Sequence, residues 1–389
     1  VKMYDGFGLF IDGEWRKGSD TAVVLSPVTE KVIGEIATAS AADTKAALDA
    51  TAAALAPLRD IGGFARADAL HKIADRMLAR GEKAATMLST ETGKTIAQSR
   101  REWTLAVDQF RWYAEEARRI YGRLVESRVP GGRFEITKEA VGVVGAFTAW
   151  NFPASLPARK VAPALAAGCP VVLRPSSQTP GTAMIMIDCI RTCGLPRGAI
   201  NLVIGQTSQT YAPIMADPRV RKVSLTGSTR VGQQMIRDAA YTVKKVSMEL
   251  GGNAPMIVYD DADLDMAIDV SVAAKFANAG QVCVTPDRTS QTHLGLKDAV
   301  GSPLSRPVHE QDHGPLLFTV VITRDVYLIP VPGFVYDDRS IQESRLTLTG
   351  KYRGDGYTSE QTDYRCAYHW SRVAANSEGL FLPDCEFGQ

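Results

Sequence analysis

From Val141 to Met248 the chain repeats one pattern, in which short apolar runs alternate with helical stretches. The runs are Val141–Phe147, Pro170–Leu173, Ile200–Val203, Lys222–Leu225 and Lys245–Met248. Between them lie Ser155–Ala166, Thr179–Cys193, Gln209–Met215 and Thr229–Ala240, which carry helical periodicity. Parallel strands need long crossovers, and helices supply them, so the alternation predicts an α/β fold built on a doubly wound parallel sheet. Ligands of such sheets sit beyond the carboxyl ends of the strands. That rule places Trp150-Asn151, Arg174–Ser177 and Gly227–Thr229 along one rim.

The flanks differ in character. Ala41–Leu58, Phe64–Arg80 and Thr95–Tyr121 read as helices, and Leu124–Lys138, split by Pro130-Gly131-Gly132, reads as two strands around a turn. Leu264–Ala277 is helix-like again. After Arg288 helical periodicity disappears, alanine becomes scarce, and four of the five histidines appear. The remaining apolar segments, Leu316–Ile322 and Val326–Val331, are short and β-like. This shift marks a boundary and predicts an irregular C-terminal tail.

At 389 residues the chain exceeds the span of a single core, so two domains are expected. Its net charge of +1 gives no reason to expect nucleic acid or an anionic membrane as partner. No apolar run approaches the roughly 20 residues of a bilayer span, and Val1–Phe10 lacks a signal-peptide core, so a cytoplasmic location is expected. Six cysteines do not suggest a disulfide framework. Cys189 and Cys193 read as packed thiols, and no metal site is expected.

Two residues carry the candidate chemistry. Cys283 ends Asn278-Ala279-Gly280-Gln281-Val282-Cys283, and a thiol there becomes a nucleophile once deprotonated. Glu249 stands in Met248-Glu249-Leu250-Gly251-Gly252-Asn253, at a strand end where tight packing can raise a carboxylate toward neutrality and make it a base. Either residue alone has an ordinary alternative, a buried inert thiol or a surface acid. Together, in this order and spacing, the two segments resemble the active-site signatures of aldehyde dehydrogenases.

The resemblance implies that Cys283 attacks an aldehyde to form a thiohemiacetal, that hydride passes to a nicotinamide, and that Glu249 activates the water that hydrolyses the thioester. Asn151, in Thr148-Ala149-Trp150-Asn151-Phe152-Pro153, resembles the family's oxyanion asparagine, working with the backbone N–H of Cys283. No Gly-x-Gly-x-x-Gly is present, but Gly227-Ser228-Thr229-Arg230-Val231-Gly232 resembles the family's phosphate loop. The same resemblance assigns Trp150, Ser228, Gly232 and Leu250 to the cofactor's surroundings. Arg174-Pro175-Ser176-Ser177 looks like the adenosine-ribose element, with Arg174 where the family usually has Lys. Ser177 replaces the Glu common in NAD-preferring members, so NADP is expected to serve at least as well as NAD.

Arg159-Lys160 and Pro163–Cys169 are similar to bacterial succinate-semialdehyde dehydrogenases, where an arginine at the position of Arg159 grips the substrate's distal carboxylate. A second arginine usual there is Ala277 here. In family terms, 1–122 with 141–249 forms the dinucleotide-binding domain, 123–140 the oligomerisation hairpin of intact relatives, and 250–288 the start of an incomplete catalytic domain. Residues 289–389 match nothing in the family, and no Glu-x-x-Phe-Gly-Pro segment follows. A shifted reading frame or chimeric junction is the favoured explanation of that tail. The leading function is oxidation of a small aldehyde, succinate semialdehyde first. The alternatives are another aldehyde, or a nucleotide-binding remnant without catalysis.

Overall fold

The computed structural model describes residues 3–252, 254–259, 262–291, 320–322 and 327–328, all within one compact unit, Val1–Pro330. Four short strands open the chain: β1 (Leu9–Ile11), β2 (Glu14–Arg16), β3 (Asp20–Leu25) and β4 (Val32–Thr38). Four helices follow: α1 (Ala41–Asp60), α2 (Gly62–Ala79), α3 (Gly81–Thr92) and α4 (Ile96–Ala117). The hairpin β5 (Arg123–Glu126) and β6 (Arg133–Ile136) then leads into the alternating region. There β7 (Val143–Phe147), α5 (Ser155–Ala166), β8 (Val171–Arg174), α6 (Gly181–Ile190) and β9 (Ile200–Leu202) succeed one another. The alternation continues with α7 (Thr207–Ala216), β10 (Val220–Thr226), α8 (Thr229–Ala240) and β11 (Lys245–Glu249).

These strands form one sheet in the order β11-β10-β7-β8-β9-β1-β2. Neighbours from β11 to β9 pair in parallel, as the alternation predicts. The N-terminal β1 and β2 add an antiparallel edge that the alternation could not announce. Strand β7 is central and buried along its whole length, and its residues divide by parity. Val144 and Ala146 enter the core formed with α2, α4, α5 and α6, while Val143 and Phe147 enter the core formed with α1, α7 and α8. Strand order reverses between β7 and β10, so the crevice beyond their carboxyl ends is where this topology accepts a ligand.

Local signals explain most boundaries. Ser40 and Asp43 form a reciprocal capping box at the start of α1, and Thr95 caps α4 by accepting from the Gln98 N–H. The start of helix α3 carries no local signal, because Arg80 offers no side-chain cap to mark it. The buried Arg66 joins α2 to two other helix ends, donating to the carbonyls of Leu58 (3.2 Å), Arg59 (3.1 Å) and Ala166 (2.9 Å).

Beyond the large sheet, β12 (Ala254–Val258), α9 (Leu264–Phe276) and β13 (Pro286–Gln291) begin a second sheet, with β12 and β13 parallel. Two strands of the tail, β14 (Val320–Ile322) and β15 (Tyr327–Leu328), extend it and fall within the two β-like segments. The other expectations for the tail lie outside the described residues.

Glu91, on α3, is buried with no ion-pair partner among the described residues and accepts from the Tyr4 hydroxyl at 2.9 Å and the Gly181 N–H at 2.7 Å. Burial, opposed by these hydrogen bonds, raises its pKa from 4.5 to about 7. A raised carboxylate pKa means the folded chain holds the extra proton. The stabilisation is therefore complete below pH 4.5 and is lost as pH rises through 7. Relative to Glu91→Gln, the native chain should lose on the order of 3 kcal/mol of stability between pH 5 and 8. Urea unfolding of both proteins across that range checks this, and parallel pH profiles would refute it.

Candidate active site

The carboxyl end of β7 runs through Thr148, Trp150 and Asn151 into α5, whose N-cap residue Ala154 has no capping side chain. Glu102 of α4 supplies what is missing: its Oε1 accepts from the N–H groups of Ala154 (2.8 Å) and Ser155 (3.2 Å). Its Oε2 accepts from Lys94 Nζ at 2.6 Å, in an ion pair whose side chains are both almost fully buried. Lys94 also donates to the backbone oxygen of Asn151 at 2.8 Å and lies 4.3 Å from the centre of the Phe152 ring. Sequence patterning marks neither residue, because both are far from Asn151 in the chain.

Cys283 arrives on a strained turn. Asn278, Ala279 and Gly280 all have positive φ, at 49°, 55° and 78°, and the alanine carries the steric penalty of that region. Asn278 clips this turn to the β7 loop: its Nδ2 donates to the backbone oxygens of Asn151 (3.1 Å) and Gln281 (3.2 Å). Asn151 Nδ2 donates to the same Gln281 oxygen at 3.0 Å. One N–H of the Asn151 amide is thus engaged, and the second is left for another acceptor.

Cys283 is exposed as a residue, yet enough protein surrounds its sulfur to desolvate the thiolate and raise the pKa above the ordinary 9.0. The N–H groups of Cys283 and Val284 and the charge of Arg159 oppose that rise, and the Glu249 carboxylate adds to it. All four therefore act on the one thiol. Arg159, on α5, is exposed and has no ion-pair partner among the described residues. Glu249 ends β11 and is exposed, in contrast to the tight enclosure expected from the sequence. The reason is topological: β11 is an edge strand with β10 as its neighbour.

Lys160, one residue after Arg159, points the other way. It is buried, donates to Ser224 Oγ at 2.9 Å, and has its pKa lowered to about 8 by burial, an effect the Glu249 charge resists. A lysine among Ala158, Val161 and Ala162 on an otherwise apolar helix is a sequence signal for such a group.

The cofactor candidates gather on the β8 and β10 ends. Ser228 caps α8, accepting from the Val231 N–H. A Cβ on Gly232 would lie 2.7 Å from Leu250 Cδ2, so glycine is what lets α8 approach the strand that carries Glu249. The Gly227 N–H donates to the Glu249 carbonyl at 3.0 Å, fastening the two loops together. Thr229 Oγ1 is buried with no hydrogen-bond partner in its surroundings, a donor available to a bound polar group. Trp150 stays partly exposed, its carbonyl accepting from Thr179. Ser177 is exposed, and Ser176 Oγ accepts from the Gln178 N–H.

Arg174 departs from expectation. Its Nε donates to Thr210 Oγ1 at 2.7 Å and its Nη2 to the Gly205 carbonyl at 3.1 Å. These bonds engage Nε and Nη2, so a bidentate phosphate grip through that pair is not presented, whereas Nη1 has no hydrogen-bond partner among the described residues. The side chain instead holds the loop after β9 against the end of β8.

Comparison with known proteins agrees with this layout. The aldehyde dehydrogenase family model matches residues 15–293. A glutarate-semialdehyde dehydrogenase of Pseudomonas putida is 38% identical over 301 residues, 77% of this chain and 62% of the relative. An NADP-dependent succinate-semialdehyde dehydrogenase of Escherichia coli is 40% identical over 280 residues, 72% of this chain and 58% of the relative. The crystal structure of succinate-semialdehyde dehydrogenase from Burkholderia pseudomallei superposes with a TM-score of 0.72 at 40% identity, covering 73% of this chain and 60% of that one. The chain thus spans about 60% of the length of the relatives it matches.

The opposed charges around Cys283 can be read without turnover. Its alkylation by iodoacetamide, located by mass spectrometry, should accelerate with a midpoint above pH 9.0. Arg159→Met should move that midpoint further up and Glu249→Gln should move it down, because the first removes a stabilising cation and the second a repelling anion. Midpoints unmoved by either change would separate these residues from the thiol.

Proposed function

This chain belongs to the aldehyde dehydrogenase family, and we propose that it oxidises a small carboxylated aldehyde with NADP or NAD, succinate semialdehyde being the first substrate to test. The observation that carries the substrate class is Arg159, an exposed guanidinium without an ion-pair partner among the described residues, whose charge reaches the Cys283 thiol. A carboxylate a few bonds from the aldehyde carbon would give that cation its partner. A semialdehyde would then be oriented with its carbonyl toward the sulfur.

Each group then has a role its surroundings support. The N–H groups of Cys283 and Val284 favour the thiolate, which attacks the carbonyl carbon to form a carbon–sulfur bond. The free N–H of the Asn151 amide and the backbone N–H of Cys283 donate to the oxygen as it gains charge. A nicotinamide held by these loops would supply the hydride acceptor that takes the sulfur-bound carbon to the thioester level on Cys283. Glu249, open to water, takes the proton of the water that attacks the thioester; the carboxylate leaves and the thiolate is restored.

The residues fit a dinucleotide. The capped start of α8, the unpartnered Thr229 hydroxyl and the Gly232 approach would hold the pyrophosphate, with Trp150, Ser176 and Ser177 around the remainder. Exposed Ser177 carries no charge to repel a 2′-phosphate, which supports use of NADP. The hairpin β5–β6, exposed at every position with Leu124 and Phe134 outward, supports assembly with a second copy.

Reduced-nicotinamide absorbance with succinate semialdehyde is the test. Turnover should vanish in Cys283→Ser. In Arg159→Met the KM for succinate semialdehyde should rise about tenfold or more, a charge-assisted contact being worth roughly 1.5–3 kcal/mol, while butanal is hardly affected. Equal effects on both aldehydes would remove the carboxylate from the proposal. Bound cofactor without Cys283-dependent turnover would favour the nucleotide-binding remnant.

A further inference from the structure

We infer that Lys94 and Glu102 are positioning residues for the reaction, a buried ion pair that fixes the Asn151 amide relative to Cys283. The inference rests on the proposed role of Asn151 as donor to the developing oxyanion. Both side chains are 2–3% exposed, so neither has water to replace a lost partner. Charge burial of this kind seldom raises stability over an apolar pair of the same volume, and it survives where a geometry must be held.

The contacts converge on one five-residue turn. Lys94 follows the end of α3, where Gly93 turns at φ 75°, and its ammonium donates to Glu102 Oε2 and to the Asn151 carbonyl. The other Glu102 oxygen receives the Ala154 and Ser155 N–H groups. The pair therefore grips the turn from both ends, at its first residue and at the first residues of α5. The Asn151 carbonyl takes a second donor from Asn278, on the turn that presents Cys283. Backbone of the β7 loop, buried charge and nucleophile turn thus form one connected set, and Asn151 Nδ2 closes it on the Gln281 oxygen. Removing the ammonium frees the Asn151 carbonyl on one side and leaves Glu102 without its cation. Asn151 can then shift by the fraction of an ångström that matters to an oxyanion contact.

The test is a double-mutant cycle between Lys94→Met and Asn151→Ala on the full chain. It is read first by Cys283-dependent hydrolysis of p-nitrophenyl acetate, which needs no cofactor, and then by aldehyde oxidation. Thermal unfolding accompanies each variant. Lys94→Met should lower kcat about tenfold or more with KM within about threefold. In the Asn151→Ala background the same change should do little, because the amide it positions is gone. Lys94→Met with Glu102→Gln removes both charges, keeps an acceptor for the two α5 amides, and serves the same cycle should the single variant not fold. Additive losses, or a loss confined to KM, would overturn the inference. Ester hydrolysis that follows the cycle in a chain that oxidises no aldehyde would support the positioning role while refuting the proposed dehydrogenase function.

Discussion

The burial of β7 and β8 on both faces is the constraint from which the rest of this structure follows. A strand with no solvent face cannot carry polar chemistry along its length, so Val143–Phe147 and Val171–Leu173 are apolar throughout. Polar groups can enter only where those strands stop. Thr148, Trp150 and Asn151 do so after β7, and Arg174, Ser176 and Ser177 at or after the end of β8. Because β10 lies on the other side of β7, its own terminal loop, Gly227–Thr229, opens beside the first. The site is thus a consequence of strand order before it is a consequence of any particular side chain.

That logic explains what could be read from the sequence. Parallel pairing and crossover helices leave a periodic trace, so the five parallel strands and α5 to α8 were legible within a few residues. The motif segments were legible for a related reason: chemistry at a strand end is local, and a glycine such as Gly232 is required by one close contact with Leu250. Antiparallel β1 and β2 leave no such trace, since three-residue strands hold too little periodicity to register. Nor did the Lys94–Glu102 pair, whose meaning depends on where α3 and α4 pack. The packing of Arg174 was hidden for the opposite reason. Its chemistry fits a phosphate, but a guanidinium cannot show in sequence that Thr210 and Gly205 already engage it.

The electrostatics around Cys283 set one requirement against another. A sulfur poorly exposed to water is a stronger nucleophile once ionised, yet the same desolvation holds back ionisation. Arg159 eases that conflict from one side and the two backbone N–H groups from another, while Glu249 intensifies it. The base role proposed for Glu249 therefore suits a group at a distance, acting through water and open to solvent on an edge strand. Enclosing Glu249 to raise its basicity would also bring its charge nearer the thiolate it opposes.

Two modes of attachment meet at this site, and they differ in stiffness. Glu249 and the phosphate-loop candidate are tied by backbone, through the Gly227 N–H on the Glu249 carbonyl and the packing of Gly232 on Leu250. Whatever moves that loop moves Glu249 with it. Asn151 and Cys283 are tied by side chains, through the Asn278 amide and the Lys94 ammonium. Side-chain ties hold two loops in register without making them one element, so the positive φ angles lie on the Cys283 turn while the Asn151 turn is held by Lys94 and Glu102. In the proposed reaction the buried charge suits the Asn151 side for that reason: the proposed oxyanion donor is anchored to the large core, and the proposed nucleophile is left on the strained turn.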